Sequence, residues 1–522
     1  MDQKEMLYPT SIIEEGKHNI ILQNKCGNRL TLLCKEDALE LEFMYKPNAK
    51  RRKEFSARTF SNRDINTRLF AVAGMPEVPA GEIAKIGYDP FVTTIDIALE
   101  NGGKNKFTFV NIVDENCFAL SATGPMSFVF MPHGGFTVED GLITEMFTER
   151  NEDIVSFVIF DGLAENRYRE LEDGSHVVQL CENEVIYVGG EETYAQVNRV
   201  RKKLRGLSLE ALIQRNEAQI RLFTDVSRLK INNPDFQKVY DINKRINFSM
   251  FDEGGVTFGA LNRVYYLSWI RDTMMSSAMM ALAGTPELLE TAYPFVFENP
   301  SIKKIVDGEE FREYLQMIGT HWGKSEDDGI FYVLYGLYSH FQTTGSDKFL
   351  WEKDLKYIIK AVDYAYEALF ETALGIFGSD TLGETTLQGS PFYGFDAVNG
   401  SISDYRCSHE TRNGKGVVKC YALYHNMNMY NVLKMLGALL KASPNGADSE
   451  LIATRITQYE ALAENLSTKI NEIFIREDGI YRPGILVLDD GEKLVIDDFR
   501  DLDLWEYAVS YTHLTLPTIY SV

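Results

Sequence analysis

Aromatic rings, carboxylates and an arginine recur together in three stretches of the chain. In residues 262–284 (NRVYYLSWIRDTMMSSAMMALAG), Tyr265, Tyr266 and Trp269 run into an Arg271–Asp272 pair. Residues 319–329 (GTHWGKSEDDG) hold His321, Trp322, Asp327 and Asp328, and residues 377–395 (FGSDTLGETTLQGSPFYGF) hold Asp380 and Glu384. Flat rings beside a charged hydrogen-bonding pair suit a polyhydroxylated ligand. The rings cover its apolar faces, while Arg and Asp fix hydroxyl directions. A carboxyl set among Gly, Thr, Leu and Phe is partly desolvated, which raises its pKa toward what a general acid needs.

Each feature also has a plainer reading. Arg followed by Asp opens many helices, because Asp favours the positive end of the helix dipole. An isolated loop Glu is usually a solvated carboxylate, and His321 serves equally well as a structural loop residue. Asp327 and Asp328 fit a turn and helix N-cap before Gly329, or a site for calcium or sugar. Met274, Met275, Met279 and Met280 read as core filler.

The elements that must position these stretches differ between the two halves of the chain. Residues 18–200 alternate apolar and polar over short runs, near 19–22, 30–34, 39–43, 107–113, 127–131, 154–160 and 176–180, with Gly, Asn and Asp between them. This predicts an antiparallel β-sandwich over residues 1–200, with no helix before Ser208. Residues 201–230 change to helical spacing, with Ser208 as N-cap, and read as a linker helix. From residue 231 to about 508 the pattern is helical. Seven helices are expected near 235–250, 268–283, 286–297, 329–345, 353–371, 415–442 and 448–474. Long spacers (252–266, 312–328 and 372–412) alternate with short turns. Helix pairs with all their long connectors at one end are what a toroidal helical barrel requires. The fold class expected is therefore multidomain β + α, an antiparallel sandwich followed by an incomplete (α/α)6 toroid. Residues 509–522 break the pattern: VSYTHLTLPT carries no charge and no helical period, and resembles a translated sequencing adapter.

Composition narrows the partners. A formal charge of −23 argues against nucleic acid or an anionic membrane and suits a neutral ligand such as an oligosaccharide. No apolar run is long enough to span a bilayer. The N-terminus lacks the apolar core of a signal peptide, which makes the cytoplasm the default expectation. The six cysteines show no CxxC or CxxH spacing, and the eight histidines no HxH or HxxxH. Free buried thiols, no metal and no cofactor are expected.

The three stretches carry a family resemblance. YYLSWIRDT resembles the aromatic–Trp–x–Arg–Asp motif of inverting, exo-acting glucoamylases of the (α/α)6 six-hairpin class. HWGKSEDDG resembles their Trp–Gly–(five residues)–Gly motif, and SDTLGETTLQGSPF resembles the loop ending in Gly–Ser–x–Phe that holds the proton donor. Prokaryotic members also carry an N-terminal β-sandwich and a linker helix. The resemblance implies release of glucose from the non-reducing end of α-gluco-oligosaccharides with inversion. It makes Glu384 the general acid, with Asp380 as the rival, because the family usually shows two adjacent Glu residues where this chain has Gly383–Glu384. Arg271 and Asp272 would bind hydroxyls of the terminal sugar, with Tyr266, Trp269, His321, Trp322 and Asp328 completing the substrate site. In that family the second carboxylate lies late in the barrel, so no general base is assigned. The rivals are another six-hairpin enzyme (amylo-1,6-glucosidase, trehalase-like hydrolase or disaccharide phosphorylase) and a non-catalytic carbohydrate-binding protein.

Overall fold

The structure is a computed structural model. It describes residues 18–23, 29–34, 39–44, 67–69, 81–99, 101–124, 126–130, 135–149, 152–159, 167–172, 176–226, 229–251, 270–298, 302–306, 309–313, 329–378, 417–446, 449–488 and 490–497. The chain divides into two compact units, residues 1–267 with 283–288, and residues 268–282 with 289–522.

The first unit is built mainly of strands. β1–β4 span His18–Gln23, Arg29–Cys34, Leu39–Met44 and Thr67–Leu69. β5–β8 span Gly81–Gly87, Val92–Leu99, Lys104–Asn111 and Cys117–Ala122. β9–β12 span Met126–Phe130, Gly135–Glu139, Leu142–Glu149 and Glu152–Ile159. β13–β15 span Tyr168–Glu170, His176–Leu180 and Val185–Glu191. They form two antiparallel sheets, ordered β1-β2-β3-β4-β9-β14-β13 and β10-β11-β12-β15-β8-β7-β6-β5. Period-two alternation explains how the second sheet is buried on both faces. On β8, Phe118, Leu120 and Ala122 join Ile95, Phe107 and Phe109 in one apolar layer, which also takes in Leu22, Leu30 and Val178 from the first sheet. The intervening Cys117 and Ala119 face a second layer with Phe157, Val197, Val200, Leu204 and Leu212.

The last four of those residues lie on two helices, α1 (Tyr194–Leu204) and α2 (Leu209–Thr224). The expectation of no helix before Ser208 is corrected here. Thr193 caps α1 through its side chain, and Val197, Val200 and Leu204 repeat at helical spacing. Gly206, at φ +76°, breaks α1 from α2, which Ser208 caps as expected. Helix α3 (Pro234–Met250) is held in this unit by Arg245, which pairs with Asp89 at 2.6 Å and Glu217 at 3.1 Å and lies over the Phe91 ring.

In the second unit the helices are α4 (Ile270–Leu282), α5 (Pro286–Glu298), α6 (Gly329–Thr344), α7 (Glu352–Leu369), α8 (Leu423–Lys441) and α9 (Glu450–Phe474). The first three residues of α5 fall in the first unit. Among the described residues three small sheets accompany them. β16 (Ile302–Val306) pairs with β17 (Glu309–Glu313), and β18 (Phe370–Glu371) with β19 (Ile376–Phe377). β20 (Val417–Ala422), β21 (Gly484–Leu488) and β22 (Lys493–Ile496) form the third. The helix expected from residue 415 therefore starts at Leu423. The preceding VVKCYA is a β-branched and aromatic run that finds a strand partner in β21.

Among the described residues, no helix is long and apolar enough to cross a membrane. Cys117 and Cys420 are free and buried, as expected, and burial pushes the Cys117 thiol up. Cys181 is free but exposed, against expectation, because it lies in the turn between β14 and β15.

Two predictions follow from this packing. A Cβ at Gly189 would stand 2.6 Å from Cys117 Cβ and collide with the Asn116 carbonyl and the Phe157 ring. Gly189→Ala is expected to cost about 1–3 kcal/mol of stability in urea unfolding followed by far-UV circular dichroism. Parent-like stability would refute the close approach. In the second unit, Glu290 accepts from Lys348 Nζ at 2.7 Å and meets the buried His340 Nε2 at 3.0 Å. The Lys348 bond, then His340, hold its carboxyl below the ordinary Glu value of 4.5. The stability it contributes is present above that value and is lost as pH falls through the depressed folded value. The difference in Tm between the parent and Glu290→Gln should shrink as pH drops below about 4.5. A difference constant down to pH 3 would contradict this.

Candidate functional site

Three helix starts meet in the second unit. Arg271 and Asp272 occupy the first turn of α4, both half-buried. Asp272 is placed well, since a carboxylate suits the positive end of the helix dipole. Arg271 is not, and its charge works against that dipole. Part of the compensation is the Tyr332 ring, whose centroid lies 5.6 Å from the Arg271 guanidinium carbon. Tyr332 stands in the first turn of α6 and is buried. Its hydroxyl shares a 2.9 Å hydrogen bond with the hydroxyl of Tyr424, also buried, in the first turn of α8.

These contacts give the helices a common direction. Arg271 faces Tyr332 and, one turn further along each helix, Met274 faces Gly336, so α4 and α6 run parallel. A Cβ on Gly336 would collide with the Met274 methyl and come within 3.4 Å of Leu289 Cδ1. The missing side chain lets the helices approach closely enough for the arginine to reach the ring.

The first turn of α8 also holds the end of β19. The Asn426 side chain accepts from Phe377 N at 2.7 Å and donates to the carbonyls of Phe377 and Ala422, both at 2.9 Å. Both backbone hydrogen-bonding groups of one strand residue are thus engaged by a single buried carboxamide. Gly378 follows against the Tyr421 ring, where a Cβ would meet Cε1 at 2.7 Å. The Phe377 ring packs edge-on to His425, 6.0 Å between centroids. Burial is the main cause that pushes the Tyr421 hydroxyl up, with the Glu371 charge second.

Of the residues expected to form the site, Arg271 and Asp272 are therefore placed. Tyr266, Trp269, His321, Trp322, Asp328, Asp380 and Glu384 lie outside the described residues. The structure adds Tyr332, Tyr424 and Asn426, which sequence reading missed. The available signal was polar atoms in the opening turns of otherwise apolar helices. Among the described residues, no group of three or more His, Cys, Asp or Glu could hold a metal ion.

No protein-family model matches the chain, and no curated protein matches it. Among solved structures, the chain is similar to a putative kojibiose phosphorylase from the human microbiome. The identity is 10% and the TM-score 0.47, over 89% of this chain and 69% of that one. It is also similar to a GH78 family rhamnosidase of Bacillus sp. GL1 (10% identity, TM-score 0.39, 80% of this chain and 35% of that one). A third is the alpha-L-rhamnosidase from Dictyoglumus thermophilum (10% identity, TM-score 0.35, 74% and 46%). The matches span less than half the length of either rhamnosidase.

The helix approach at Gly336 is testable. Gly336→Val should lower the stability of the protein by about 1–3 kcal/mol in chemical denaturation, because Met274 and Leu289 leave no room for a branched side chain. Unchanged stability would show that the spacing of α4 and α6 is set elsewhere.

Proposed function

We propose that this chain is a carbohydrate-active enzyme of the six-hairpin type. Its first unit is read as an antiparallel β-sandwich, and the helices that follow as an incomplete (α/α)6 toroid. The activity proposed is hydrolysis of α-gluco-oligosaccharides from the non-reducing end, with inversion at the anomeric carbon. The observation that carries the reading is the joining of three chain junctions beside the first turns of α4, α6 and α8. Ile270 and Gly329 open α4 and α6, just after the first two motif-bearing spacers, and Gly378 stands at the start of the third. Arg271, Tyr332, Tyr424 and Asn426 connect those junctions through contacts between side chains and backbone. Connectors that end or begin at one place can place their side chains around one ligand.

In this reading Arg271 and Asp272 hold hydroxyls of the terminal glucose, one as a fixed fork of donors and the other as an acceptor. Tyr266, Trp269 and Trp322 offer faces to the sugar ring, and His321 and Asp328 add polar contacts. Glu384, or its rival Asp380, donates a proton to the leaving glycosidic oxygen while water enters from the opposite face. An inverting pair stands roughly 6.5–9.5 Å apart to admit that water. The second carboxylate of such a pair remains unassigned in this chain.

The protein is expected to bind maltotriose in calorimetry, and to release glucose that appears first as the β-anomer by proton NMR. Glu384→Gln should retain binding while cutting release at least 100-fold, the scale of a lost general acid. Full activity in that variant would remove Glu384 from the role. Glucose 1-phosphate appearing only in the presence of inorganic phosphate would replace hydrolysis by phosphorolysis. Absence of any maltotriose binding would overturn the carbohydrate reading.

A further inference from the structure

We infer that the buried Tyr332–Tyr424 pair is a positioning device for sugar binding, acting through Arg271; this rests on the carbohydrate reading of the site. An arginine in the first turn of a helix has four rotatable side-chain torsions and an unfavourable dipole at its back. To bind a hydroxyl well it has to be held before the ligand arrives. The Tyr332 ring provides a flat surface 5.6 Å beneath the guanidinium. The ring in turn has a fixed height and tilt, because its hydroxyl is bonded at 2.9 Å to Tyr424 in a fully buried setting. Tyr424 sits two residues before Asn426, whose carboxamide holds the same turn of α8 to both backbone groups of Phe377. The order of support therefore runs from Phe377 through Asn426 and Tyr424 to Tyr332, and ends at Arg271. Packing alone would be served equally by phenylalanine at 332 and 424. A pair of buried hydroxyls bonded to each other costs desolvation at both ends and adds orientation in return.

The test is a double-mutant cycle on maltotriose affinity, read by calorimetry on the full chain. Tyr424→Phe should weaken the Kd about tenfold in the parent and by less than twofold in an Arg271→Met background, since the hydroxyl acts only through the arginine. Tyr332→Phe, which keeps the ring and breaks the same bond from the other side, should reproduce both numbers. Equal losses in the two backgrounds would overturn the proposal, as would a parent-like Kd in both phenylalanine variants. A lowered Tm with an unchanged Kd would make the pair purely structural and also overturn it. If Arg271→Met binds as well as the parent, the arginine has no part in sugar binding and this inference falls; if the parent does not bind maltotriose, the carbohydrate reading itself falls and this inference with it. That outcome differs from failure of the pair alone, in which the parent binds and Arg271→Met does not match it.

Discussion

The close approach of α4 and α6 at Gly336 is the constraint on which the candidate site depends. Helix axes usually lie about 8–10 Å apart, at a distance set by the side chains between them. With no Cβ at 336, the Met274 side chain occupies the space that one would need. The two helices then run side by side and in the same direction, and their first turns come level. Arg271 can reach the Tyr332 ring only from that height. A glycine inside a helix costs roughly 1 kcal/mol of intrinsic propensity relative to alanine. Its presence in the middle of α6 is accounted for by the neighbour it admits.

Much of the second unit was legible in the sequence because its helices are long and strongly periodic. α4 to α7 and α9 begin and end within a few residues of the spans expected from apolar spacing, and Gly284 follows α4 at positive φ as a C-cap glycine should. Element starts set by tertiary pairing were not legible. Residues 417–422 are apolar enough to continue a buried helix and become a strand because β21 lies beside them. The short pair β16–β17 carries Lys303, Lys304, Glu309 and Glu310, which by composition read as solvated connector. In the first unit α1 was hidden by its position at the end of a β-rich region. Its buried residues are three in eleven, a signal too sparse to outweigh the strands before it.

Legibility of the site divides along the same line. Arg271 and Asp272 stood out because charges in the first turn of an apolar helix need a reason. Tyr332, Tyr424 and Asn426 did not, since tyrosine in GIFYVLYGLYSH or asparagine in LYHNMNMYN reads as ordinary core or surface until the partner is known. The Tyr332–Tyr424 bond links residues 92 positions apart, and the Asn426–Phe377 bonds span 49. No local pattern encodes a contact at such separation. What a sequence can show is a polar residue where the period demands an apolar one, and that sign was present in α8 at Asn426, Asn428 and Asn431.

Buried polar groups are supported in two ways, by charge pairing and by neutral groups. In the first unit, charge is matched by charge. Arg245 is bracketed by Asp89 and Glu217, and Asp114, carried between β7 and β8, by Lys203 and Arg215, whose hydrogen bonds hold its carboxyl low against the opposing effect of burial. Such pairs fix α1, α2 and α3 to the sheet. Around α4, α6 and α8 neutral groups also serve as supports: a ring, two hydroxyls and a carboxamide. A neutral cradle orients a guanidinium without neutralising it, whereas a carboxylate in the place of the Tyr332 ring would compete with any ligand for the same donors. Tyrosine rather than glutamate beneath Arg271 thus gives the guanidinium an aromatic support on that side, one that orients it without competing for its donors.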